Sequence, residues 1–246
     1  MDIYNGMEFT NSKGFKWRVI DCRFSRRIVI ESLEWMPYTV TVRKESIQKG
    51  VVFYPYGKMK DGCYRGEGVW DNSTRNPYSG VWCGLRTRTL DETFKNKHKA
   101  YLNCTLSPEW VCLQNFCDWA DSTYPKDFPE IPWELDKDLL SSSGVYSPET
   151  CCWLPKEINL FLSKKSEKGI YEKKGKRGSS FALFVREGTE VYKEKNGHYI
   201  GSYPTYEDAV VKWKEVEQNR LNTLIEKYRY CLSPVVIEKL ISLEIV

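Results

Sequence analysis

The sequence predicts an α+β chain assembled from small modules, and three observations predict it. Residues 15–22, 26–33 and 38–42 alternate apolar and polar side chains, the period-two pattern of half-buried strands. Residues 133–161 read as strand, turn-rich connector, strand and helix. Residues 180–203 contain three strand-like runs, and a long amphipathic helix follows from Thr205. The expected architecture is a small antiparallel, barrel-like N-terminal module (1–55), a linker or arm (56–78), a helical domain ending in the strand–strand–helix unit (79–165), a basic linker (166–178), and a three-stranded sheet with a long helix (179–246).

Taken in order, the N-terminal strands are separated by breaks at Phe24-Ser25 and at 34–37, which makes an antiparallel meander, and residues 47–53 are expected to add a last strand. Residues 54–77, rich in Gly, Tyr, Asn and Pro, read as an irregular segment, either a linker or extended arm or a surface loop packed on the domain. Residues 79–97 look helical, with Val81, Leu85 and Leu90 on one face. A second helix opens at Ser107-Pro108-Glu109, an N-cap, a first-turn proline and a first-turn acid, and runs to about Asp121. Pro125, Pro129 and Pro132 impose an extended approach to Trp133. Within 133–161, Pro155 is expected at the first helical position. In the C-terminal module the strands are placed at 180–185, 190–193 and 199–203, with turns at Gly188 and Asn196-Gly197. Thr205 to Asp208 forms a capping-box-like helix start.

The net charge of +4 says little by itself, but its distribution is informative. Residues 163–177 contain Lys164, Lys165, Lys168, Lys173, Lys174, Lys176 and Arg177 against only Glu167 and Glu172. Such a cluster suits a phosphate backbone. The N-terminus has no apolar signal-peptide core, and no stretch is long enough to span a membrane. Nine cysteines without a C-x-x-C pair are expected to be reduced, as in the cytoplasm. Cys104, Cys112 and Cys117 fit no standard zinc spacing, so structural zinc is not expected.

The strand–strand–helix layout places Asp136 on the first strand, where it can face Asn159 on the helix. One carboxylate and one amide oxygen suit a single hard cation, Mg²⁺ or Mn²⁺, that keeps most of its waters. This layout resembles the ββα-metal finger of the HNH superfamily. The order L-D-K-D-L-L (135–140), Y-S-P-E-T-C (146–151) and L-P-K-E-I-N-L (154–160), with Tyr78, Trp82, Cys104, Trp110 and Asn115-Phe116 upstream, is similar to phage-borne, homing-endonuclease-like HNH proteins. The C-terminal G-S-Y-P-T-Y-E-D-A-V-V-K-W (201–213) resembles the small DNA-binding domain of ethylene-response factors. That resemblance implies that Arg186, Lys193, Lys195 and His198 contact duplex DNA, and the resemblance to phage-borne HNH proteins implies that the protein works in the cytoplasm of an infected bacterial cell.

The position after Asp136, where an active HNH finger usually carries its general-base histidine, is Lys137. Glu134, Lys137 or Asp138 would then orient or activate water. The expectation is a metal-dependent DNA endonuclease. Its rivals are a DNA-binding protein on a degenerate finger and a phage protein that binds a host protein. Removal of residues 180–246 is expected to abolish site preference and leave the finger folded. The oligomeric state is left open.

Overall fold

The structure, a computed structural model, describes residues 2–24, 26–163, 169–175, 178–185 and 198–244. It mixes helices and strands and divides into two compact units, Met1–Asp121 and Ser122–Val246. The division falls inside the span 79–165 that the sequence reading treats as one domain.

The first unit opens with a four-stranded antiparallel sheet: β1 (Glu8–Thr10), β2 (Lys16–Asp21), β3 (Ile28–Ser32) and β4 (Thr39–Val42). Strands β2 to β4 fall where the alternation places them. Trp17, Val19, Ile28 and Ile30 share one face and are buried with Met7, Ile47, Val52 and Tyr54. The ladder runs β1-β2-β3-β4, so both end strands are edges and the sheet is open rather than a closed barrel. Residues 47–53 are not a strand either. Lys44–Gln48 forms a short helix, α1, followed by Gly50 with φ at 64°. That left-handed conformation suits glycine, and the Gly50 carbonyl accepts a 2.9 Å hydrogen bond from the Ser12 amide. Strand β1 has no counterpart in the sequence reading, because three residues are too few to show alternation.

Residues 54–77 contain no helix or strand, yet they are packed rather than an extended arm. Tyr64 bridges Cys112. The buried Gln114 side chain donates to the Trp70 carbonyl at 2.7 Å and accepts from the Trp70 amide at 3.0 Å. The expected 79–97 helix is two helices, α2 (Ser79–Leu90) and α3 (Glu92–Lys97). Asp91 interrupts them, and its carboxylate caps α3 by accepting from the Phe94 amide at 3.0 Å. The expected 107–121 helix is also divided. Ser107 caps a 3-10 turn (Pro108–Val111), Cys112 is extended to meet Tyr64, and α4 (Leu113–Thr123) follows. A two-residue strand, β5 (Thr105–Leu106), precedes the turn. Trp82, Leu85, Trp110, Leu113 and Phe116 are fully buried, and the Trp82 indole donates to the Trp110 carbonyl at 2.8 Å.

In the second unit, β6 (Trp133–Asp136) pairs antiparallel with β8 (Cys152–Pro155), with Asp136 opposite Cys152. The connector contains β7 (Val145–Tyr146), and α5 (Lys156–Leu162) leaves directly from β8. Pro155 is the last strand residue, with φ −51° and ψ 134°, and not the first helical one. A three-stranded antiparallel sheet follows: β9 (Ile170–Gly175), β10 (Gly178–Val185) and β11 (His198–Tyr203), in the order β11-β10-β9. Its first strand comes from the run read as a basic linker. The expected 190–193 strand lies outside the described residues. The long helix α6 (Tyr206–Tyr228) starts as expected, with Thr205 accepting from the Asp208 amide at 3.1 Å. A further helix, α7 (Pro234–Ile241), is capped by Ser233. No helix among the described residues is long and apolar enough to cross a membrane.

Helix α6 serves two cores. Its N-terminal half places Trp213 against Leu183 and Val185 of the sheet. Its C-terminal half and α7 place Leu221, Ile225, Leu232, Val236 and Leu240 against Cys152, Leu154, Ile158 and Phe161. The sheet module and the strand–strand–helix unit are therefore joined through one continuous helix. Glu157 of α5 reinforces the joint by accepting from Lys227 at 2.5 Å and from the Tyr228 hydroxyl at 2.8 Å.

Gly169 precedes β9 with φ at 128°, and its carbonyl accepts from the Phe184 amide at 2.8 Å. A Cβ there would collide with the Phe184 carbonyl oxygen. Gly169→Ala should therefore lower the melting temperature, through a loss of at least about 1–3 kcal/mol. An unchanged thermal melt would refute this account of the β9–β10 junction.

Candidate functional site

The site is assembled on β6, the turn after it, and α5. Residues two apart on a strand share a face, so Glu134 and Asp136 lie on the same side of β6. Asn159 of α5 reaches that side, and its amide nitrogen donates to Glu134 Oε2 at 2.7 Å. The hydrogen-bonded partner of Asn159 is thus Glu134, where the spacing alone suggested Asp136. The Asp136 carboxylate folds back on its own turn, and its Oδ1 accepts from the amides of Asp138 at 3.0 Å and Leu139 at 2.8 Å. This local bonding holds the chain as it leaves β6.

Burial pushes the Asp136 carboxyl above its ordinary range, and the negative charge of Asp138 adds to the shift. The Leu139 and Asp138 amides and the Lys137 charge oppose it. Lys137 is only 8% exposed. Its ammonium lies 2.5 Å from Asp138 Oδ1 and 5.6 Å from the centre of the Tyr146 ring. An ammonium has three donors and no acceptor, so in this pairing it acts as a fixed positive charge. Asp138 itself has a side chain that is 70% exposed. Burial also raises the neighbouring thiols, Cys151 to about 12 and Cys152 further. Both stay protonated at neutral pH and are poor nucleophiles and poor metal ligands there.

The donors fit the cation the sequence implies in kind. Glu134, Asp136 and Asn159 offer hard oxygens with no imidazole or thiolate among them. A cation beside Asp136 would offset the desolvation and the repulsion that raise its carboxyl. Among the described residues no group of three His, Cys, Asp or Glu is arranged to hold a metal, so such an ion would keep much of its water shell. The cysteines considered for zinc are separately engaged: Cys104 with the Ala100 carbonyl, Cys112 with the Arg65 carbonyl, and Cys117 with the Asn76 amide.

Of the candidate DNA contacts, Lys173 and Lys174 are exposed on β9. His198 opens β11, but its side chain lies outside the described residues, as do Lys164, Lys165, Lys168, Lys176, Arg177, Arg186, Lys193 and Lys195. His98 flanks α3 and its ring lies 4.3 Å from that of Phe94. Tyr146, the buried ring beside Lys137, joins the site without having been a candidate. In the sequence its signal is its place at the head of Y-S-P-E-T-C.

Comparison of the chain with family models, with curated protein sequences and with solved structures finds no match.

The raised carboxyl of Asp136 has a consequence for stability. It binds its proton at a higher pH than the ordinary 3.8, so the folded state holds more protons than the unfolded one above that value. Stability contributed at low pH is then lost as pH rises through the folded value. Asp136→Asn keeps an oxygen for the two amides and removes the charge. It should melt higher than the wild type at pH 7, and the difference should close as the pH falls towards 4. Thermal melts across that range check it, and an Asn variant less stable at pH 7 would contradict it.

Proposed function

We propose that the chain is a DNA endonuclease of the HNH-related, ββα-metal type, acting on duplex DNA with one Mg²⁺ or Mn²⁺. The observation that carries the reading is the placement of Glu134 and Asp136 on one strand face with the Asn159 amide bonded to that face. Asp136 and Asn159 would hold the ion, which supplies Lewis-acid polarisation of a phosphodiester when bound. Glu134 has a positioning role. By accepting from the Asn159 nitrogen it leaves the amide oxygen to serve as the metal ligand. Asp138, the exposed carboxylate beside the site, is the group best suited to orient water. Lys137 holds Asp138 and contributes positive charge near the phosphate. Lys173, Lys174 and the basic residues around them would grip the backbone.

One observation favours a second reading, a DNA-binding protein on a degenerate finger. The position expected to hold a histidine base holds a buried lysine in an ion pair. Incubation of the purified chain with supercoiled plasmid separates the two. The endonuclease predicts nicked or linear product with Mg²⁺ or Mn²⁺ and none with chelator. Retardation of the plasmid without product under every condition would leave the binding protein.

A further inference from the structure

The three-stranded sheet has two unlike faces. One packs against α6 through Ile170, Leu183, Val185, Ile200 and Tyr203. The other carries one aromatic ring on each strand: Tyr171 on β9, Phe184 on β10 and Tyr199 on β11. Their centroids form a row across the sheet, 5.7 Å from Tyr171 to Phe184 and 5.3 Å from Phe184 to Tyr199. Tyr171 and Tyr199 are 48% and 49% exposed. Lys173, on the same face as Tyr171 by strand alternation, holds its ammonium 5.4 Å from the Tyr199 ring centre and 6.0 Å from that of Phe184.

The chemistry of this row selects among occupants. Side chains that fill a core sit under an opposing layer, and α6 already supplies that layer on the other face. Along β10 the same face carries the small residues Ser180 and Ala182, opposite Lys173 and Tyr171 of β9. By strand alternation, the described residues of this face include no bulky aliphatic side chain of the kind that docks a helix. An ammonium beside π faces supplies both halves of a nucleotide contact, charge for phosphate and a ring face for the base. A duplex presents base edges and phosphates, with its base faces stacked internally. Ring faces are open to stacking only in an unpaired strand.

We propose that the face formed by Tyr171, Lys173, Phe184 and Tyr199 is a stacking platform for an unpaired strand of nucleic acid. This site is separate from Glu134, Asp136 and Asn159 and does not depend on cleavage.

The test measures fluorescence anisotropy of the full chain with labelled oligomers of about 12 nucleotides, within the range that small β platforms cover. The set comprises oligothymidylate, oligouridylate, a base-paired hairpin, and a deoxyribose-phosphate oligomer without bases. Oligothymidylate, oligouridylate or both should bind about tenfold more tightly than the abasic chain and the hairpin, and the preference between them identifies DNA or RNA. Tyr171→Leu and Tyr199→Leu retain apolar bulk without a ring face, and each should weaken binding roughly tenfold. Tyr199→Phe, which keeps the ring face, should bind as the wild type does. Equal affinity for the abasic chain, a preference for the hairpin, no binding to either single strand, or full affinity in both leucine variants would overturn the proposal. Absence of plasmid cleavage by the wild-type chain under every metal condition, with oligomer binding intact, would overturn only the endonuclease.

Discussion

A chain ended at Ser179 should fail to fold its strand–strand–helix unit. Five of the nine buried side chains in that unit's core, Leu221, Ile225, Leu232, Val236 and Leu240, lie beyond this point. Their loss would expose Leu154, Ile158 and Phe161 and remove the Lys227 and Tyr228 partners of Glu157. One large aliphatic truncated to Ala in a core costs about 2–5 kcal/mol, and a whole domain has only about 5–15 kcal/mol of net stability. The expected result is a protein in which residues 122–179 are digested by protease and show no cooperative melt. By sequence alone, this truncation is expected to leave a folded finger. A protease-resistant fragment spanning 122–179 would restore that expectation. Leu240→Ala in the full chain gives an independent measure, with an expected loss in the same 2–5 kcal/mol range.

Asp136→Ala should abolish metal-dependent cleavage while leaving plasmid binding nearly intact. Metal polarisation contributes several kcal/mol to such a step, and 1.36 kcal/mol is a factor of ten in rate, so the expected loss is roughly 10²- to 10³-fold. The variant also loses the acceptor for the Asp138 and Leu139 amides. Asp136→Asn, which keeps that acceptor, therefore belongs in the same assay. Both variants inactive and folded would support a role for the carboxylate charge, whereas an active Asn variant would sink it. Lys137→His should raise cleavage, since an imidazole with a pKa of about 6.5 can accept a proton at neutral pH. The histidine would stand beside Asp138, now released from its ion pair. Cleavage lost in Lys137→His with DNA binding unchanged would show that the buried lysine charge itself is required.

The features legible in the sequence are local ones. Alternation placed β2, β3 and β4, because the period of a half-buried strand is written in consecutive residues. Ser107 and Thr205 were recognisable as caps, because a cap is made by a side chain and an amide three residues on. The order of strands and helix in 133–162 was equally readable. What the tertiary structure decided involves partners far apart in the chain. Glu134 and Asp136 share a strand face, so no sequence pattern says which of them Asn159 meets; the crossing of α5 over β6 selects Glu134. Residues 170–175 carry charges that read as a linker, yet pairing with β10 makes them a strand, because ladder hydrogen bonds do not depend on side-chain polarity. The apolar stripe of α6 was visible, but its division between two cores was not. A stripe records that a helix face is buried and carries no record of what buries it.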